Sequence, residues 1–120
     1  MSQPILVIDD DPSIRDVVAA ALDDEGYTVL SAANGAEALE VLEQIVPVLV
    51  LLDMRMPVMD GWSFARVLRE RGIRLPVIVM TAAQDARQWA EEVGASAYVA
   101  KPFDLGELLD VVARVARGGA

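Results

Sequence analysis

The chain has 120 residues, the size of one domain, and is 54 % hydrophobic, enough for a packed core and too apolar for disorder. It has no cysteine and no histidine, which excludes disulfides, zinc–thiolate sites and Ser-His-Asp triads. A formal charge of −9 argues against direct nucleic-acid binding, because phosphate contacts need a basic patch.

Met1-Ser2-Gln3-Pro4 lacks the basic start of a signal peptide, and no apolar run is long enough to span a bilayer. The expectation is a cytoplasmic protein without membrane contact. Ile5 to Ile8 is a continuous apolar run, as in a strand buried on both faces. Asp11-Pro12 reads as an N-cap with proline at the first helical position. Ile14, Val17, Val18, Ala21 and Leu22 follow helical spacing until Gly26. Thr28 to Leu30 is a short second strand. After the Asn34-Gly35 turn, Ala38, Leu39, Leu42 and Ile45 form a second helical stripe.

Val48 to Leu52 is the most hydrophobic strand. Phe64, Val67 and Leu68 mark a third helix ending near Gly72. Pro76 introduces a strand from Val77 to Met80, and Gln84 to Val93 is a weaker helix closed by Gly94. Ala97 to Ala100 is the last strand. Leu105, Leu108, Leu109, Val112 and Ala116 make the last helix, which frays at Gly118-Gly119. Five strand–helix units imply an α/β fold, a parallel sheet with helices on both faces. Right-handed crossovers and reversed winding after the first strand favour the order 2-1-3-4-5. No linker or repeat divides residues 1–120, so the expectation is one domain with no output domain in the chain.

Ligands of such sheets bind outside the carboxyl ends of the strands. Here the strands run into Asp9-Asp10-Asp11, Asp53, Thr81 and Lys101-Pro102. Converging carboxylates, a hydroxyl and an ammonium suit a divalent cation and a phosphoryl group. Oxygen donors without histidine or cysteine favour Mg²⁺. Asp53, held rigidly at a buried strand end, is a candidate nucleophile toward phosphorus. Asp11 reads as a cap and Asp60-Gly61 as a turn opening a helix. Lys101 is the only lysine among ten basic residues, consistent with a place for a compact ammonium. The bond to Pro102 is a candidate cis peptide.

The segments VIDDDPSIRD, LLDMRMPVMDG, VIVMTA and YVAKPF, in this order and spacing, resemble the receiver domain of bacterial two-component response regulators, over essentially the whole chain. The resemblance implies a flavodoxin-like, doubly wound, five-stranded sheet with five helices. It also implies that Asp53 is the phosphoacceptor, Asp10 a direct Mg²⁺ ligand, Asp9 an assistant through water, and the Arg55 backbone carbonyl the third protein ligand. Thr81 and Lys101 would bind phosphoryl oxygens, and Tyr98 would be the switch aromatic that turns inward with Thr81. The donor would be a sensor histidine kinase, a phosphotransfer protein or a small acyl phosphate. The chain would catalyse only its own phosphorylation and dephosphorylation. Output would leave through the fourth helix, last strand and last helix toward a protein partner, and phosphorylation-linked homodimerisation is compatible with the resemblance. Trp89 and Val111 either add apolar area to that face or pack in the core. Arg55, two residues after the phosphoacceptor, either reaches the phosphoryl group or stays solvated. Ala82 leaves room for a donor, and Ala83 leaves water access open.

Two phosphoryl contacts contributing roughly 1.5–3 kcal/mol each approach the ~5.5 kcal/mol needed to invert a 1:99 equilibrium. Three other readings meet obstacles. A haloacid-dehalogenase-type phosphohydrolase needs an acid at position 55, where Arg55 stands. A flavin binder needs a phosphate loop where Asp9-Asp10-Asp11 would repel it. A receiver that only binds partners would not need the full set of site residues found here.

Overall fold

The structure, a computed structural model, describes residues 4–82 and 84–118. Five strands alternate with five helices: β1 (Pro4–Ile8), α1 (Pro12–Asp24), β2 (Thr28–Ala32), α2 (Gly35–Leu42), β3 (Leu49–Asp53), α3 (Gly61–Glu70), β4 (Val77–Ala82), α4 (Ala86–Val93), β5 (Ala97–Lys101) and α5 (Leu105–Ala116). All pairings are parallel, in the order β2-β1-β3-β4-β5, as expected from the winding.

The continuous apolar runs are explained by burial on both faces. Ile5, Val7, Leu49, Leu51, Ile78 and Met80 pack against Val18 and Leu22 of α1 and Leu108, Val112 and Val115 of α5. Leu6, Ile8, Val50, Leu52 and Val79 face Ala38 of α2, Phe64 and Leu68 of α3 and Trp89 and Ala90 of α4. Burying each large aliphatic side chain contributes roughly 1.5–3 kcal/mol. The sheet ends are thereby held against two helical layers.

Caps fix the helix starts at the functional edge. Asp11 accepts from the Ser13 and Ile14 N–H groups, Asp60 from Ser63 and Asp104 from Gly106 and Glu107. Several boundaries differ from expectation. Strand β2 runs on to Ala32, and β4 continues through Thr81 and Ala82, because their partners on the neighbouring strands carry the ladder past the apolar runs. Helix α2 stops at Leu42 and leaves Ile45 outside, with Pro47 unable to continue a helix. Helix α4 starts at Ala86 rather than Gln84, after a turn in which the Asp85 N–H donates to the Ala82 carbonyl. Gly119, one of the two glycines expected to fray the last helix, lies outside the described residues. Among the described residues no helix is long and apolar enough to cross a membrane.

Candidate functional site

The carboxyl ends of β1, β3, β4 and β5 bring the predicted residues together. Oxygens of Asp9, Asp10 and Asp53 all lie within 4.8 Å of one another. Asp9 is fully buried, Asp53 is 6 % exposed and Asp10 is exposed. The Lys101 Nζ donates to Asp9 Oδ2 at 2.7 Å and lies 3.6 Å from Asp53 Oδ1. The Lys101–Pro102 peptide is cis.

Asp9 is fixed at both oxygens, because its Oδ1 accepts from the Asp11 N–H at 2.9 Å. Its carbonyl accepts from Arg15 Nη1 at 2.7 Å. Sequence reasoning missed Arg15. Its signal was a cation one helical turn beyond the Asp11 cap, within reach of the strand end. Gly61 opens a helix, as its sequence context predicts, but its role is tighter. Its N–H donates to the Met54 carbonyl at 2.9 Å, and a Cβ there would lie 2.8 Å from Met54 Cα and 2.9 Å from the Asp53 carbonyl. Only glycine permits this approach of α3 to the end of β3.

Burial pushes the Asp53 carboxyl up to about 6, with the charges of Asp9 and Asp10 adding to the shift. Lys101 and the Met54 N–H oppose it without cancelling it. The carboxylate still predominates at neutral pH, so the nucleophilic form is available, desolvated and aimed at the surface.

The donor set fits a hard divalent cation. It is all oxygen, and its charge is only partly balanced by Lys101. With both Asp9 oxygens engaged, Asp10 and Asp53 are the freer carboxylates, which suits Asp9 to a supporting part. Arg55 lies in the following loop and shares a cleft lip with Asp10, Met56 and Asp60.

Thr81 is buried at the end of β4. The register pairs Val79 with Tyr98 and Thr81 with Ala100, so Thr81 and Tyr98 share the sheet face that carries α4. Tyr98 is 43 % exposed. Trp89 is buried in the core layer with α4, whereas Val111 is only partly buried, packed against the α1–α5 core. Arg55 is exposed, and its guanidinium lies 5.1 Å from the centre of the Trp89 ring. Ala82 is exposed; Ala83 lies outside the described residues. Val58 has φ +68°, in the left-handed region where a β-branched residue is strained. The Met59 N–H donates to the Pro57 carbonyl across it at 2.7 Å.

Comparison with known proteins bears on the chain and its fold as a whole. The family profile described as response regulator receiver domain matches residues 5–113. The DNA-binding transcriptional regulator NtrC of Escherichia coli (strain K12) is 44 % identical over 112 residues, which are 92 % of this chain and 24 % of that protein. The chain thus spans about a quarter of that relative's length. Sporulation initiation phosphotransferase F of Bacillus subtilis is 40 % identical over 114 residues, covering 93 % of this chain and 92 % of that protein. The chemotaxis response regulator CheY4 of Vibrio cholerae superposes with a TM-score of 0.87 at 32 % identity, over 96 % of this chain and 99 % of that one.

Proposed function

The chain belongs to the response regulator receiver domains, signalling modules of two-component phosphorelays, and from that premise we propose that Asp53 accepts a phosphoryl group with Mg²⁺ held at Asp10, Asp53 and the Arg55 carbonyl. One observation carries the reading: a buried, partly desolvated Asp53 stands within 4.8 Å of Asp9 and Asp10 oxygens and 3.6 Å from the Lys101 ammonium.

The carboxylate oxygen of Asp53 attacks phosphorus and forms the acyl phosphate. The P–N bond of a donor phosphohistidine breaks, and its electron pair returns to the imidazole. These 120 residues contain no histidine, so the donor imidazole comes from outside them. Lys101 reaches the phosphoryl oxygens while Asp9 holds the lysine in place. The Thr81 hydroxyl donates to another oxygen. A bound Mg²⁺, held by Asp10, Asp53 and the Arg55 carbonyl, would supply positive charge that offsets the developing negative charge of the transfer. An apolar groove of about 530 Å³, lined in part by Ile14, Val17, Phe103 and Leu105, opens beside Lys101 and gives a donor protein a surface to lie on.

Output follows from the shared face of Thr81 and Tyr98. When Thr81 is drawn to the phosphoryl group, the partly exposed Tyr98 turns inward, and the α4–β5–α5 face changes shape for a downstream protein. The groove there is lined by Arg87, Glu91, Tyr98, Glu107 and Arg114, a mixed-charge surface suited to a protein partner.

The test is intact mass after incubation with acetyl phosphate, with and without Mg²⁺, beside Asp53→Asn. One phosphoryl adduct that needs Mg²⁺ and vanishes in the variant is expected. If neither an adduct nor beryllofluoride binding with Mg²⁺ occurs, the reading fails.

A further inference from the structure

The two tryptophans of the chain meet at one point, and a cation beside the phosphoacceptor rests on one of them. The Trp62 and Trp89 rings are 4.7 Å apart, edge to face at 70°. Trp62 Nε1–H donates to Glu92 Oε1 at 2.9 Å, and the Gln88 amide steadies the other Glu92 oxygen at 3.2 Å. This ties the start of α3 to α4. Trp89 is 8 % exposed and packs into the core layer, so its ring is fixed. The Arg55 guanidinium lies over that ring at 5.1 Å. Among the described residues Arg55 makes no ion pair, although Asp10 and Asp60 line the same cleft.

We infer that Trp89 is a positioning residue for Arg55, and that movement of the guanidinium from Trp89 to the phosphoryl group is a second route from Asp53 to α4, separate from Thr81 and Tyr98. It rests on the proposed phosphorylation of Asp53. Arg55 follows Asp53 by two residues and is exposed, so its long side chain can exchange partners without moving the core. The aromatic face offers a weak attraction at an exposed site. A phosphoryl group offers about −1.5 to −2 charges and three acceptor oxygens, which the guanidinium fork matches closely. Phosphorylation therefore removes the cation from Trp89 and loosens the tie between the β3–α3 loop and α4. Coupling is reciprocal, so a weaker aromatic seat hands Arg55 to the phosphoryl group more readily.

Tryptophan emission reads the exchange directly, since both fluorophores lie in this cluster. The experiment records emission with Mg²⁺ before and after beryllofluoride, and again with acetyl phosphate in samples whose mass shows the adduct. A ligand-dependent change in the parent chain that is clearly smaller in Arg55→Ala is expected, the remainder belonging to the Thr81–Tyr98 route. A change of equal size in Arg55→Ala overturns the inference, as does no change in the loaded parent. Absence of both adduct and beryllofluoride binding instead removes the phosphorylation reading on which it rests.

Dephosphorylation supplies the second readout. Trp89→Leu should alter the rate roughly two- to five-fold, the shift one exposed cation–π contact can hold. Trp89→Phe, which keeps a ring, should lie between Trp89→Leu and the parent. In an Arg55→Ala background Trp89→Leu should change nothing further. An equal effect of Trp89→Leu with and without Arg55 shows a merely structural tryptophan and overturns the inference.

Discussion

Replacing Asp53 by asparagine should make the metal-free protein more stable. The carboxyl titrates near 6 in the fold against 3.8 in its ordinary state. Each pKa unit is worth about 1.36 kcal/mol, so an ionised Asp53 costs the native state about 3 kcal/mol at neutral pH. An asparagine side chain would fill the same space without the charge. Unfolding entropy of about 2.1 cal/mol/K per residue gives about 4 °C per kcal/mol for a chain this long. By that scaling Asp53→Asn should melt about 12 °C above the parent at pH 7 without divalent cations.

The pH dependence has a definite sign. Because the folded-state pKa is raised, the native state binds this proton more tightly than the unfolded chain between about pH 4 and 6. The contribution of Asp53 to stability is fully present below 3.8 and is lost as pH rises through 6. The gap between variant and parent should thus be largest at pH 7 and close by about pH 4. Mg²⁺ at a hundred times its Kd adds about 2.7 kcal/mol to the parent and little to the variant, nearly erasing the gap. Thermal melts across this range from acid to neutral pH, with and without Mg²⁺, measure all of this. An Asp53→Asn protein that melts at or below the parent at neutral pH, or a gap that ignores pH, would refute the reasoning.

Two other substitutions probe the same edge. Lys101→Ala leaves the fully buried Asp9 without its 2.7 Å partner. Breaking a buried pair costs about 3–5 kcal/mol, and the partial exposure of Lys101 brings this to about 2–3 kcal/mol, seen as a lower urea midpoint that Mg²⁺ partly restores. An unchanged midpoint would mean that solvent already carries the Asp9 charge. Val58→Gly should stabilise by about 0.5–1 kcal/mol, since φ +68° strains an L residue and the side chain is 84 % exposed. A lower melting temperature would show that the valine makes contacts worth more than the strain.

The strands were legible because a strand buried on both faces must be continuously apolar, as Val50 to Leu52 and Val77 to Met80 are. The gathering of Asp9, Asp10, Asp53 and Lys101 was legible because a parallel sheet sends all its strand ends to one edge. Strand ends were less so. Thr81 and Ala82 extend β4 through backbone pairing with Ala100 and Lys101, and hydrophobicity carries no trace of that. Side-chain partners over long separations were not legible. Nothing in the spacing of Arg55 and Trp89 foretells which loop meets which helix. Sequence alone leaves Trp89 equally a surface or a core residue, because a short helix with one aromatic fits both; only its packing on Trp62 separates them.

The raised Asp53 pKa is at first sight at odds with the Lys101 ammonium beside it and with Arg55 two residues on in the chain. Placement resolves this. The Lys101 ammonium sits 2.7 Å from Asp9 but 3.6 Å from Asp53, and the Arg55 guanidinium rests on Trp89. Each cation is held by a group other than the nucleophile. Desolvation of Asp53 therefore goes largely uncompensated, and Asp9 and Asp10 add to the cost. A tight Lys101–Asp53 pair would lower that cost, and it would also quench the nucleophile and occupy the donor positions a phosphoryl group needs. Holding the ammonium on a buried, doubly bonded Asp9 keeps it close without that penalty. The instability of the resting edge and its readiness to take a metal and a phosphoryl group thus have one electrostatic origin.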